Sequence, residues 1–278
     1  MTSQKIQLPT EHCETCPAYT QLEQMGIKTG DFDRVVALAG NPNTGKSTLF
    51  NALTGLKQHT GNWPGKTVTR AEGGYQFNGV KYKLVDLPGT YSLLSASQDE
   101  EVARDFILFG QPDCTIVVTD ATALERNLNL VMQVMEITTH VVVAVNLMDE
   151  ARRKGIEVDT RSLSRDLGLP AIPVTARTGE GMSTLLTTVS EVIEGLVSTK
   201  PLRVTGTPEF QKAVNELVPM IEQMAPGIPN ARWLAIRLLD GDARVQKALS
   251  SGELADIVGR QQRADVHFSK KMSVEGRQ

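Results

Sequence analysis

Gly40-Asn41-Pro42-Asn43-Thr44-Gly45-Lys46-Ser47 decides the fold of this chain, because it spells G-x-x-x-x-G-K-[ST] between a strand and a helix. The β-branched run Val35-Val36-Ala37-Leu38-Ala39 precedes it. A helical stretch, Ser47 to Leu53, follows, with Gly55 as its stop. Glycines let the backbone wrap a polyphosphate so that successive N–H groups point at its oxygens. The helix N-terminus adds partial positive charge, Lys46 brings an ammonium to the terminal phosphates, and the Ser47 hydroxyl suits Mg²⁺. Gly40, Asn41, Asn43, Thr44, Gly45, Lys46, Ser47 and Thr48 are the expected contacts to a nucleoside triphosphate.

Working outward, residues 34–198 alternate short β-branched runs with longer amphipathic stretches. Strands are expected at 34–39, 68–77, 80–86, 114–119, 140–146 and 171–174, and helices at 46–54, 99–109, 124–138, 160–167 and 181–197. Asn78-Gly79 between two strands is a hairpin signal, so one pair is expected to be antiparallel. The alternation predicts an α/β P-loop NTPase fold of the Ras-like G-domain type, with a mostly parallel six-stranded sheet covered on both faces. Residues 1–33 read as a polar N-terminal extension, 199–268 as a small all-helical domain and 269–278 as a tail. The helical part opens at Thr207-Pro208-Glu209, with Pro at the first helical position, and its last helix is expected over 253–267.

Composition bounds the function. The 278 residues are 40% hydrophobic and 22% charged, with formal net charge −3 and three cysteines. That is a globular composition without the basic face that nucleic acid requires, so no nucleic-acid partner is expected. No apolar run approaches the ~18 residues of a membrane span, no secretory signal opens the chain, and the cysteines are too few for a disulfide framework. A soluble chain in a reducing compartment is the expectation.

Three further elements complete a guanine-nucleotide site. Asp86-Leu87-Pro88-Gly89 ends a strand 40 residues after Lys46; Asp86 is placed to serve Mg²⁺ and the Gly89 N–H to sense the terminal phosphate. Asn146-Leu147-Met148-Asp149 is similar to the N-K-x-D element, whose carboxylate accepts from the guanine N1–H and amine. Leu147 stands where the usual Lys covers the base and braces the phosphate loop, which predicts weaker, faster-exchanging nucleotide binding. Thr175-Ala176-Arg177 fits the loop whose backbone meets the guanine oxygen. Thr67, in the segment 59–67 expected to be the first switch, is the candidate hydroxyl for Mg²⁺, with Thr69 as runner-up. Trp63 there reads as a packing anchor. Thr90-Tyr91 occupies the place of a water-orienting Gln, and no arginine finger can be named. Asn43 offers a partial replacement: in GTPases with Asn here, the side-chain oxygen ligates K⁺ against the β/γ-phosphates. Lys46, Asn43, Thr67 and Gly89 are therefore the candidate catalytic groups.

Asn41 to Asn51, the run Gly61-Asn62-Trp63-Pro64-Gly65-Lys66-Thr67-Val68, Asp86 to Ser92, and Asp120-Ala121-Thr122-Ala123-Leu124-Glu125-Arg126-Asn127-Leu128 together resemble the cytoplasmic G domain of bacterial ferrous-iron transport protein B. The resemblance covers residues 34 to about 268. It implies slow, K⁺-stimulated GTP hydrolysis coupled to Fe²⁺ passage through a membrane permease domain, at the cytoplasmic face of the inner membrane. It also implies a helical domain resembling a built-in dissociation inhibitor, and Gly61 and Trp63 carbonyls that help hold the K⁺. A nucleotide-binding module with little hydrolysis, and an Era-type ribosome- or RNA-associated GTPase, are the alternatives; a homo-oligomer stays open. Departing from the family pattern, His12-Cys13-Glu14-Thr15-Cys16 has ligand types for Fe²⁺ or Zn²⁺, but no second pair completes the set. A reduced flexible tail is the competing reading of Cys13 and Cys16, and two chains could share one metal.

Overall fold

The computed structural model describes residues 22, 25–27, 30–56, 58–94, 97–203, 205–226, 228 and 230–252. Cys13, Cys16 and the helix expected over 253–267 lie outside the described residues. Seven strands form one sheet in the order β2-β3-β4-β1-β5-β6-β7: β1 Arg34–Gly40, β2 Gln58–Asn62, β3 Thr69–Phe77, β4 Val80–Asp86, β5 Cys114–Asp120, β6 Val141–Asn146 and β7 Ala171–Pro173. β1 runs parallel to both β4 and β5, so the chain leaves it for opposite sides of the sheet. The crevice at the carboxyl ends of such strands, where the order reverses, is where this architecture binds ligands.

The sequence pattern explains the layers. In β1, Val35, Ala37 and Ala39 enter the core on one face, while Val36 and Leu38 enter the core on the other. β1, β5 and β6 are apolar almost throughout because both faces are covered. Helices α1 Lys46–Thr54, α2 Gln98–Asp105, α3 Leu124–Ile137, α4 Met148–Arg153, α5 Thr160–Leu167 and α6 Met182–Ile193 supply that cover. Asn78 and Gly79, both at positive φ, turn β3 into β4 as an antiparallel hairpin.

The structure adds three features to the expected pattern. The seventh strand, β2, comes from the segment read as the first switch: it pairs antiparallel with β3 at the sheet edge. Gln58-His59-Thr60-Gly61-Asn62 has no apolar alternation, so backbone pairing alone makes it a strand. α4 is not among the expected helices, its six residues being too few to show a helical period. The helix expected over 99–109 divides, α2 ending at Asp105 and a π-helical turn continuing over Phe106–Gly110. That turn buries Phe106, Ile107, Leu108 and Phe109 together.

Three helices follow: α7 Pro208–Met224, α8 Ala231–Leu239 and α9 Ala243–Ser250. Thr207 caps α7 by accepting from the Phe210 N–H, with Pro208 in the first turn as expected. Val214, Ile221, Trp233, Leu234 and Val245 share one core with α3 and the π-turn. Leu22 and Ile27, from the region read as an extension, are buried there too. Polar groups fix the docking. Arg104 of α2, 1% exposed, pairs with Asp242 at 3.0 Å and with Asp105 at 2.8 Å. Asp242 also receives Arg237 and caps α9 through the Arg244 and Val245 N–H groups. Burial works against the Asp242 charge, yet Arg104 and Arg237 hold its carboxyl below the usual range. Removing Asp242 leaves a buried guanidinium short of a partner and α9 uncapped, so Asp242→Ala is expected to lower stability by about 3 kcal/mol in urea unfolding.

Candidate nucleotide site

β1 delivers Gly40 to the crevice and α1 begins at Lys46, so the loop between them must turn back on itself within five residues. It does so with Asn43 and Gly45 at positive φ. Gly45 has two reasons to be glycine: its φ of 79°, and the amide of Asn146, with which a Cβ would collide. Thr44 braces the loop internally, its hydroxyl donating to the Asn41 carbonyl at 2.9 Å. Ser47 and Thr48 are exposed at the start of α1, and Asn43 is exposed on the loop.

β4 brings Asp86 alongside, in register with Leu38 of β1. Lys46 pairs with the Asp86 carboxylate and donates to the Leu87 carbonyl at 2.7 Å. Burial pushes the Asp86 carboxyl up, and the Lys46 ammonium pulls it back down. The chain after β4 then lies on the phosphate loop: the Thr90 N–H donates to Gly40 at 3.3 Å, and Gly89 sits against Pro42.

β6 supplies the base-side elements. Asn146, 1% exposed, donates to the Thr44 carbonyl at 2.9 Å and accepts from the Ala176 N–H at 3.0 Å. One side chain thereby fastens the phosphate loop to the Thr175-Ala176-Arg177 loop. Leu147, at positive φ, lies on the Gly45 side of β6, its Cδ2 3.7 Å from where a Gly45 Cβ would be. Asp149, in the first turn of α4, is held by the Arg177 guanidinium at 2.8 Å, which keeps its carboxyl below the usual range. Glu180 accepts from the Thr175 hydroxyl at 3.2 Å and pairs with Arg152, closing the loop on itself.

The first-switch residues face elsewhere. Trp63 is a packing anchor, 5% exposed, with its ring edge-on to Phe106 at 5.4 Å and Arg70 above it. Its carbonyl accepts from the Lys66 N–H, and Gly61 is paired with Arg70 in the β2–β3 ladder. The Thr67 hydroxyl lies 3.3 Å from the Gln98 amide oxygen, and Lys66 pairs with Glu101, both partners on α2. Asp86, Lys46, Asn146 and Asp149 are thus brought to one crevice, while Gly61, Trp63 and Thr67 are engaged with the hairpin and α2.

Two residues of the Asp120-to-Leu128 stretch, to which the sequence alone assigns no role, acquire one here. Asn127 accepts from the Asp120 N–H and donates to the Ala123 carbonyl, tying the start of α3 to the end of β5. Arg126 lies over the Tyr91 ring at 4.4 Å, clasping the chain after Gly89. Cys114 is fully buried, and burial pushes its thiol far up, so it is an inert core residue. Among the described residues no cluster of His, Cys, Asp and Glu is arranged to hold a metal, and no helix is long and apolar enough to cross a membrane.

Comparison with known proteins follows the same division. The family model for ferrous iron transport protein B matches residues 34–189, and that for the FeoB cytosolic helical domain matches 207–275. The Fe(2+) transporter FeoB of Escherichia coli K12 is 39% identical over 218 residues, covering 74% of this chain and 27% of that protein. A Porphyromonas gingivalis fusion of Fe(2+) transport protein A with FeoB is 36% identical over 245 residues, 86% of this chain and 29% of its own length. The chain therefore spans just over a quarter of these curated relatives. Among solved structures, the cytosolic domain of L. pneumophila FeoB superposes with TM-score 0.70 at 37% identity, covering 84% of this chain and 92% of that one. The cytosolic domain of T. maritima FeoB in a GDP form gives 0.72 at 32% identity, covering 86% and 98%.

Because Asn146 is the shared fastening, Asn146→Ala is expected to weaken nucleotide binding and lower stability together, the latter by about 2–3 kcal/mol for two buried groups left unpaired. Parallel calorimetric titration and thermal melts check both.

Proposed function

This chain belongs to the ferrous iron transport protein B family, and from that premise we propose that it binds GTP and hydrolyses it slowly. In the whole transporter its switch loops would couple nucleotide state to Fe²⁺ passage through a membrane permease domain, at the cytoplasmic face of the bacterial inner membrane. The observation that carries this reading is the double hydrogen bond of Asn146, which joins a phosphate-binding loop to a loop beside a base-reading carboxylate. Such a union serves a ligand with both a polyphosphate and a guanine. The GDP form of the T. maritima relative supports the same choice of ligand.

Each residue then has a role set by its chemistry. Lys46 leaves Asp86 for the phosphate oxygens, as a mobile ammonium can. The half-buried Asp86 carboxylate, deprived of that partner, is suited to Mg²⁺ together with the exposed Ser47 hydroxyl. Mg²⁺ would neutralise charge on the transferring phosphoryl group. Gly89, against Pro42, is poised to bring its N–H to the terminal phosphate. Asp149 accepts from the guanine edge, and Arg177 offers a backbone N–H near it, the Ala176 N–H being committed to Asn146.

Slow turnover has a local reason. Thr90 is buried with its hydroxyl donating to the Ser92 carbonyl at 2.7 Å, and Tyr91 is clasped by Arg126, so neither is free to orient water. Asn43 supplies an oxygen for K⁺ in place of an arginine finger. Thr67 joins the site on leaving α2, and Gly61 and Trp63 on leaving β3 and Phe106, which makes the first switch the part that reports the nucleotide. A module with incidental hydrolysis is the second reading, favoured by the same occupied Thr90.

Two measurements test this. GTP turnover is expected to be faster in K⁺ than in Na⁺, and Asn43→Ala to bring the ratio to about one; equal rates in the unaltered chain would favour the second reading. Lys46→Ala is expected to weaken GTP binding roughly 10- to 100-fold, the loss of a charge-assisted hydrogen bond, with ATP binding no better.

A further inference from the structure

The guanine-reading carboxylate is already spoken for. Asp149 accepts from Arg177 at 2.8 Å, and that guanidinium comes from the loop that must itself lie against the base. Arg177 is 72% exposed and Asp149 20% exposed at the side chain, so the pair sits at the mouth of the site and can open without disturbing the core. The oxygen that Arg177 occupies belongs to the carboxylate whose two oxygens would accept from guanine N1–H and the exocyclic amine. The guanidinium binds through one N–H to Oδ2, and guanine, whose paired donors need both oxygens, must take that oxygen back. The neighbouring charges do not hold Arg177 elsewhere: Glu180, the nearest other acid of the loop, is paired with Arg152 and accepts from Thr175.

We propose that Arg177 is an internal competitor for guanine, a side chain that occupies the base-recognition carboxylate of Asp149 and must be displaced whenever a guanine nucleotide enters. This deepens the reading of Asp149 as the guanine determinant and rests on it. The competitor sets affinity and exchange rate without touching the phosphates: it raises the cost of binding guanine and recaptures Asp149 as the nucleotide departs, hastening release. Adenine, which makes no bond to Asp149, gains nothing from its removal.

The test compares GDP and ADP binding to the unaltered chain, Arg177→Gln and Asp149→Ala, by titration at low salt and at 1 M NaCl, with GDP release followed by stopped flow. An exposed ion pair is a weak competitor, so Arg177→Gln is expected to tighten GDP binding roughly 1.5- to five-fold at low salt and slow its release. ADP binding should not change. At 1 M salt, where the screening length is only about 3 Å, the gain should vanish. GDP affinity that is unchanged or weakened in Arg177→Gln, an equal gain for ADP, or a gain that persists at 1 M salt would each overturn the proposal. Asp149→Ala isolates the premise: if that variant still prefers GDP to ADP as strongly as the unaltered chain, the guanine assignment itself fails. If preference is lost there and Arg177→Gln gives no gain, the competitor alone is wrong.

Discussion

The structure depends on one fully buried amide. Asn146 uses its NH₂ on the phosphate loop and its oxygen on the base-side loop, and both bonds are shut away from solvent. Buried polar groups are costly when unpaired, so each loop can adopt its observed course only while the other is present to satisfy Asn146. The glycine at position 45 follows from this constraint, because the amide approaches the backbone too closely for any side chain there. β6 sets the position of Asn146 by register with β5, Asp120 lying opposite it, so the sheet core ultimately fixes the distance between phosphates and base.

From that rigid centre the remaining machinery is arranged by charge neutralisation. Lys46 and Asp86 satisfy each other in this state, and nucleotide binding must exchange that partnership for others. On the far side of the crevice, Asp149 is likewise satisfied by Arg177. Both ends of the site therefore hold ion pairs that a ligand of the proposed kind would have to separate.

α2 joins the first switch to the helical region. Glu101 on one turn holds Lys66 of the switch, and Arg104, three residues on, holds Asp242 beyond it. Trp63 packs on Phe106 at the end of the same segment. Any rearrangement of the hairpin has to break the Lys66 and Trp63 contacts, and these lie on the same segment as the buried Arg104–Asp242 pair. Backbone pairing of β2 holds the hairpin, while few apolar groups do, so it is the element least expensive to rearrange.

Local chemistry wrote much of this plainly in the sequence. The phosphate loop is a backbone geometry, and backbone geometry demands particular residues at fixed spacing; the buried strands need unbroken apolar runs, and Asn78-Gly79 can hardly be anything but a tight turn. Those signals determined the family, the parallel sheet and the residues of the crevice. Tertiary structure decided the rest. β2 exists because β3 offers it an edge, and its polar side chains carry no trace of that pairing. The attachment of Leu22 and Ile27 to the core, the Arg104–Asp242 bond and the capture of Asp149 by Arg177 each join groups distant in sequence, whose meeting follows only from how the layers pack. No periodicity records a contact across 138 residues, since nothing local is needed to make it.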